Sequence, residues 1–284
     1  SGADSVAAVA SGVAESVGNP TPEHVDYAAA FHRSIPEPLL QAVHTPADAP
    51  LVVYALLLGD VAEERARVAR ALVRHETGTG DDAGLSTVCD AVGKLDLRYR
   101  LPLLDLAAPA LRRLPDADRN AVIRIAEKLV RIDRKVTLFE FVLLILLKKQ
   151  LRASSFKNEK TRYRRFGPVL PEIRILLTLM SRAGARNARR AEEAYARAMA
   201  SFSKVALSPA NEAYCQLDAM EGVLAKLSAL SPLLKGSLIS ACADCVLHDG
   251  KITPEEAELL RAVAEALDCP IPPFINSRAV SAAA

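Results

Sequence analysis

Two segments of the chain hold a carboxylate, an ammonium, a hydroxyl and a second carboxylate at matching spacing. Asp133-Arg134-Lys135-Val136-Thr137-Leu138-Phe139-Glu140 and Asp249-Gly250-Lys251-Ile252-Thr253-Pro254-Glu255-Glu256 both read D-x-K-[V/I]-T-x-x-E, 116 residues apart (133 to 249). Side chains of these types have three uses: holding a cation, moving a proton, or closing a helix start. A calcium loop of the helix–loop–helix kind needs about twelve residues with oxygen donors at alternate positions. These segments are shorter, and Lys135 and Lys251 stand where a ligand would be needed. Thr137 and Thr253 suit helix N-caps. Glu140 and Glu256, three residues on, stand at the reciprocal position of a capping box. Val136 and Ile252 fall at the staple position before each cap, and Gly250 suits a left-handed turn closing the preceding helix. An acid at a helix C-terminus opposes the helix dipole, so Asp133 and Asp249 need loop N–H groups or a cation. The leading expectation is a structural turn. A weak divalent-ion site on Asp249 and Glu256 comes second, and a catalytic acid pair third.

Other chemistry is thinner. Cys242 and Cys245 form C-x-x-C with His248 beyond, but they fall late in an apolar helical run, Leu238–Leu247, where buried thiols are expected. Five cysteines without framework spacing point to free thiols in a reducing compartment. Gly78–Gly84 is glycine-rich, yet no Lys-Ser/Thr follows it and no strand precedes it, so it is expected to be a loop without a phosphate site. The five histidines are His24, His32, His44, His75 and His248, and none belongs to H-E-x-x-H. His75-Glu76 is followed by Thr-Gly-Thr, with no second ligand one turn on.

One stretch is strongly basic. Lys148, Lys149, Arg152, Lys157, Lys160, Arg162, Arg164 and Arg165 face a single acid, Glu159, and Arg182, Arg186, Arg189 and Arg190 extend it. A solvated connector is the first reading, an anionic membrane surface the second and an acidic protein partner the third. Tyr163 and Phe166 interleave with the arginines, but no module signature supports nucleic acid, and none is expected as a partner. The net charge of +2 makes no such demand either.

The elements that position these groups are helical. Ala, Leu and Arg dominate, 50% of the 284 residues are hydrophobic, and no segment alternates with period two. The expected fold is all-α. Helices are expected from Thr21-Pro22, from Pro36, over Asp48–Leu58, from Asp60 through Val73, and over Leu85–Leu114 with interruptions at Pro102 and Pro109. Phe141–Leu147 is the most apolar run, too short to span a membrane and therefore a core helix. The expected organisation is a linker over 1–20, an N-terminal helical subdomain over 21–115, and a repeat pair over 116–284 with a basic insertion at 148–190. The tail from Pro270 docks Ile271 and Phe274 and then frays. No secretory signal is read at the start. The opening Ser-Gly without Met is expected of a processed or excised fragment.

The D-G-K-I-T-x-x-E turn of Asp249–Glu256 resembles that of TerB-like helical domains, known from tellurite-resistance proteins, whose hallmark is two such turns on a compact bundle. The first copy departs from that pattern at Arg134, which replaces the glycine. A longer resemblance runs through Ser16–Ala28, Ile35–Leu40, Tyr54–Leu58, Leu101–Leu106, Asp133–Phe141 and Phe166–Glu172. In that order these segments are similar to the region following the protease core in bacterial HtpX-like membrane zinc metallopeptidases, peptidase family forty-eight. The resemblance implies a non-catalytic accessory domain, regulatory or substrate-recruiting, on the cytoplasmic side of the inner membrane. Zinc would belong to the parent protease and no cofactor to this chain. The alternative is a free-standing TerB-like adaptor in stress response or metal sensing.

Overall fold

The computed structural model describes residues 30–58, 63–77, 82–132, 137–151, 161–211, 217–248 and 252–271. The fold is all-α. Among the described residues there is no β-strand, only a lone parallel bridge between Tyr163 and Leu230. The described residues divide into two compact units, 30–151 and 161–271.

In the first unit, α1 (Glu37–His44) starts behind Pro36 and buries Leu39, Ala42 and Val43. Helix α2 (Ala49–Leu58) is apolar all round, and eight of its ten residues are buried. A helix with no polar face must be surrounded by others. Further along come α3 (Glu63–Thr77), α4 (Asp82–Gly93), a 3₁₀ turn at Leu97–Tyr99, α5 (Arg100–Arg112), α6 (Asp116–Val130) and α7 (Leu138–Leu151). Helix α2 touches α1, α4, α5 and α6. Helix α7 covers α5 and α6, and α3 lies on α6. The run Phe141–Leu147 is core, as its composition implies: only Ile145 within it is not fully buried.

Two expectations are corrected here. Neither Pro102 nor Pro109 interrupts its helix, because α5 runs through both. Pro102 occupies the third position, where a backbone N–H has no intrahelical partner to lose. Pro109 lies inside the helix and frees the carbonyl of Asp105. Both residues are exposed, so water can meet that carbonyl, while buried Leu103, Leu104, Ala107, Ala108 and Leu111 hold the helix in place. The glycine-rich segment, in turn, is helical from Asp82, so Gly84 belongs to α4 rather than to a loop.

The second unit contains a 3₁₀ turn at Gly167–Val169, α8 (Leu170–Ala183), α9 (Ala188–Met199), α10 (Leu217–Ser228), α11 (Pro232–Val246) and α12 (Pro254–Ala266). Helix α8 touches α9, α10 and α11, and α11 also touches α9 and α12. Helix α9 is strongly amphipathic, burying Ala191, Ala194, Tyr195, Ala198 and Met199 at helical spacing. Its N-cap Asn187 accepts from the backbone N–H of Arg190 at 3.0 Å. Helices α8 and α11 approach very closely at Gly184, where an added Cβ would sit 3.0 Å from the Val246 Cα and 3.2 Å from the Cys245 carbonyl oxygen. At the opposite end of α11, the backbone N–H groups of Arg162 and Tyr163 donate to the Ala229 carbonyl at 2.9 and 3.1 Å. The Ser231 N–H donates to the Tyr163 carbonyl at 2.9 Å.

Among the described residues the division between units falls after α7, between residues 151 and 161. Helices α6 and α7 pack on α2 and α5, and so belong with the N-terminal helices. The two D-x-K-x-T turns are therefore divided. One joins α6 to α7 in the first unit, and the other joins α11 to α12 in the second.

Candidate functional site

The repeated turns close as reciprocal caps. The Thr137 N–H donates to Glu140 Oε2 at 2.9 Å, and the Glu140 N–H donates to Thr137 Oγ1 at 3.2 Å. In the second copy the same two bonds join Thr253 and Glu256 at 2.8 and 3.2 Å, with Pro254 in the first turn. Each carboxylate thus accepts the N–H of its own cap residue, and each hydroxyl satisfies an N–H that the helix leaves open. Of the suggested ion ligands, Glu256 accepts the N–H of its cap residue through Oε2, and Asp249 lies outside the described residues. So do Asp133, Lys135, Val136, Gly250 and Lys251.

The thiols are held inside. Cys242 and Cys245 are free cysteines, fully buried on α11. Burial, with Asp244 adding to it, pushes the Cys242 thiol from 9.0 up to about 12. Burial also raises the Cys245 thiol, whose Sγ lies 3.9 Å from the Leu177 carbonyl. Neither thiol is a thiolate at neutral pH, the form that would ligate a metal or attack an electrophile. His248 lies just beyond the end of α11. Its Nε2 lies 3.8 Å from Glu193 Oε2 on α9, and its enclosed Nδ1 has no hydrogen-bond partner. Among the described residues no three His, Cys, Asp or Glu side chains gather as metal ligands.

The basic residues of the stretch fall in both units, and those of the second do not form one surface. Lys148 is on α7 and is mostly covered, with its Nζ 2.8 Å from Glu127 Oε1; Lys149 beside it is half-buried. Arg152, Lys157 and Lys160 lie outside the described residues. Arg162, Arg164 and Arg165 are exposed in the second unit, with the Arg162 guanidinium 5.7 Å from the Tyr163 ring centre. They enter beside Ala229 and Ser231, at the start of α11. Arg182, Arg186, Arg189 and Arg190 cluster where α8 ends and α9 begins, near Val246 at the other end of α11. A 15-residue helix spans about 22 Å. The two arginine groups are therefore separate, and Arg189 is already paired with Glu193 at 3.0 Å.

One polar cluster has no counterpart in the sequence patterns. Glu76, read there only as part of an incomplete H-E-x-x-H, is the centre of an ion-pair group. Lys128 Nζ lies 2.6 Å from its Oε1, and Arg124 Nε 3.7 Å from its Oε2. The Lys128 hydrogen bond, helped by the Lys128 and Arg124 charges and by His75, holds the Glu76 carboxyl below its ordinary range against partial desolvation. The cluster fastens α3 to α6 across some fifty residues of sequence, which is why no local motif announces it.

No family model, no curated protein and no solved structure matches this chain.

Proposed function

We propose that this chain is a non-catalytic helical binding module. We further propose that it serves as the accessory region of a membrane zinc metallopeptidase of the HtpX-like kind, on the cytoplasmic face, and recruits a protein substrate or partner. One observation carries the non-catalytic reading. In both repeats the Thr and Glu most suited to chemistry are bonded to each other's backbone and close a helix start. The burial of Cys242 and Cys245 supports it further. The link to the protease rests on the ordered sequence resemblance. Among the described residues no helix is long and apolar enough to cross a membrane.

The test is an immunoblot of fractionated native cells with an antibody to this chain. A band well above 30.5 kDa in the membrane fraction is the expected result. A soluble band near 30.5 kDa would overturn the protease attachment and leave the free-standing adaptor.

A further inference from the structure

The first unit holds a cleft of about 480 Å³, enclosed by α2, α3, α4 and α6. That is within the range of small-molecule sites, roughly 300–1,000 Å³. Its inner wall is apolar, formed by Leu51, Val73, Leu85, Val122 and Ile125. One polar group interrupts that wall. Tyr54 is 1% exposed, and among the described residues its hydroxyl has no hydrogen-bond partner. That oxygen is also not among the fully enclosed orphan atoms, so the little surface Tyr54 retains includes it. A tyrosine hydroxyl buried this deeply ordinarily has a partner.

The other polar groups of the cleft are already satisfied or belong to its mouth. Thr77 Oγ1 donates to the Val73 carbonyl at 2.8 Å. Glu76 is neutralised by Lys128 and Arg124, and Arg70 and Arg74 engage other groups of the protein. Asp48 and Asp118 are exposed at the rim, where water solvates them. A ligand entering here meets an apolar wall, one waiting hydroxyl, and no interior charge in need of a counter-ion.

We infer that this cleft binds a small, uncharged, largely apolar molecule that offers one oxygen to the Tyr54 hydroxyl: a phenol, ketone or alcohol on a ring-sized apolar body. The inference is independent of the protease assignment, since it concerns only the first unit's own cavity. Burial favours the neutral phenol of Tyr54, so the hydroxyl remains a donor across the physiological range. The hydrogen bond selects for the oxygen, and the apolar wall supplies the affinity.

The experiment uses the full 284-residue chain and two probes of nearly equal size, 1-naphthol and naphthalene, titrated by ligand-observed NMR and isothermal calorimetry. The expected result is saturable one-to-one binding with a preference of about five- to tenfold for 1-naphthol, the value of one net hydrogen bond. Tyr54→Phe should abolish that preference while leaving naphthalene binding within about twofold, since only the hydroxyl is removed. Ala121→Phe, on the half-buried α6 face lining the cleft, should abolish binding of both probes. Circular dichroism verifies that each variant is folded. The proposal is overturned if neither probe saturates the wild-type chain, if Ala121→Phe binds as wild type does, or if Tyr54→Phe retains the preference.

Discussion

Thr137 and Thr253 each hold a helix start with one hydroxyl, so each can be tested by removing an oxygen and a methyl group. We expect Thr253→Ala to lower stability by about 1 kcal/mol in urea unfolding, and Thr137→Ala by a similar amount. Glu256→Gln should cost less than Glu256→Ala, because an amide oxygen can still accept the Thr253 N–H. The thiols make a pH prediction. Folded Cys242 keeps its proton to about pH 12, whereas the unfolded thiol loses it near 9.0. The unfolded state therefore binds fewer protons between those values, and this contribution to stability is intact below pH 9 and lost as pH rises toward 12. Denaturant midpoints should fall across that window, and more shallowly in Cys242→Ala. Iodoacetamide at pH 8 should leave Cys242 and Cys245 unlabelled until denaturant is added. These residues were legible in the sequence because their signals are local: T-x-x-E spans four residues, and the C-x-x-C lies inside an unbroken apolar helix. Tyr54 and Glu76 were not. Their neighbours come from segments some twenty to seventy residues away, and nothing local marks a hydroxyl left without a partner or a carboxylate shared by two cations.

At the scale of the element, α5 and the α8–α11 pair depart from what local rules foretell. A proline inside a helix ordinarily costs about 3 kcal/mol, and that rule places breaks at Pro102 and Pro109. Position in the first turn exempts Pro102. Burial of the apolar face of α5 outweighs the penalty at Pro109 without removing it. Replacing exposed Pro109 by Ala should restore a backbone bond to the Asp105 carbonyl and raise stability by about 1–2 kcal/mol, part of the gain being offset by a more flexible unfolded chain. The melting temperature checks the sign; a decrease would mean that proline's restriction of the unfolded chain outweighs the backbone bond regained. Gly184→Ala should act in the opposite direction. The new methyl group would meet the backbone of Val246 and Cys245 rather than a side chain able to swing away. We expect a loss of about 1–3 kcal/mol, read from the same unfolding curves. Close approach of two helices leaves little trace in sequence, since a glycine near a helix end looks like an ordinary stop signal.

For the whole molecule, the repeat itself was visible in the chain, but its allocation was not. Two similar turns invite the idea of one bundle holding both. Instead the packing of α6 and α7 on α2 and α5 assigns the first copy to the N-terminal unit, and α11 with α12 keeps the second. Each unit has its own core, so calorimetry should resolve two transitions, with Thr137→Ala lowering one and Thr253→Ala the other. A single transition shifted equally by both substitutions would show that the units unfold as one. The three backbone bonds that tie Arg162 and Tyr163 to Ala229 and Ser231 have a mechanical consequence. They grip the chain ahead of the 3₁₀ turn that leads into α8. Tension transmitted along the polypeptide from the first unit would load this short parallel clasp before it reached any helix of the second. The clasp is therefore the fuse of that unit: under force it should yield first, and α8 should unravel only after it has let go.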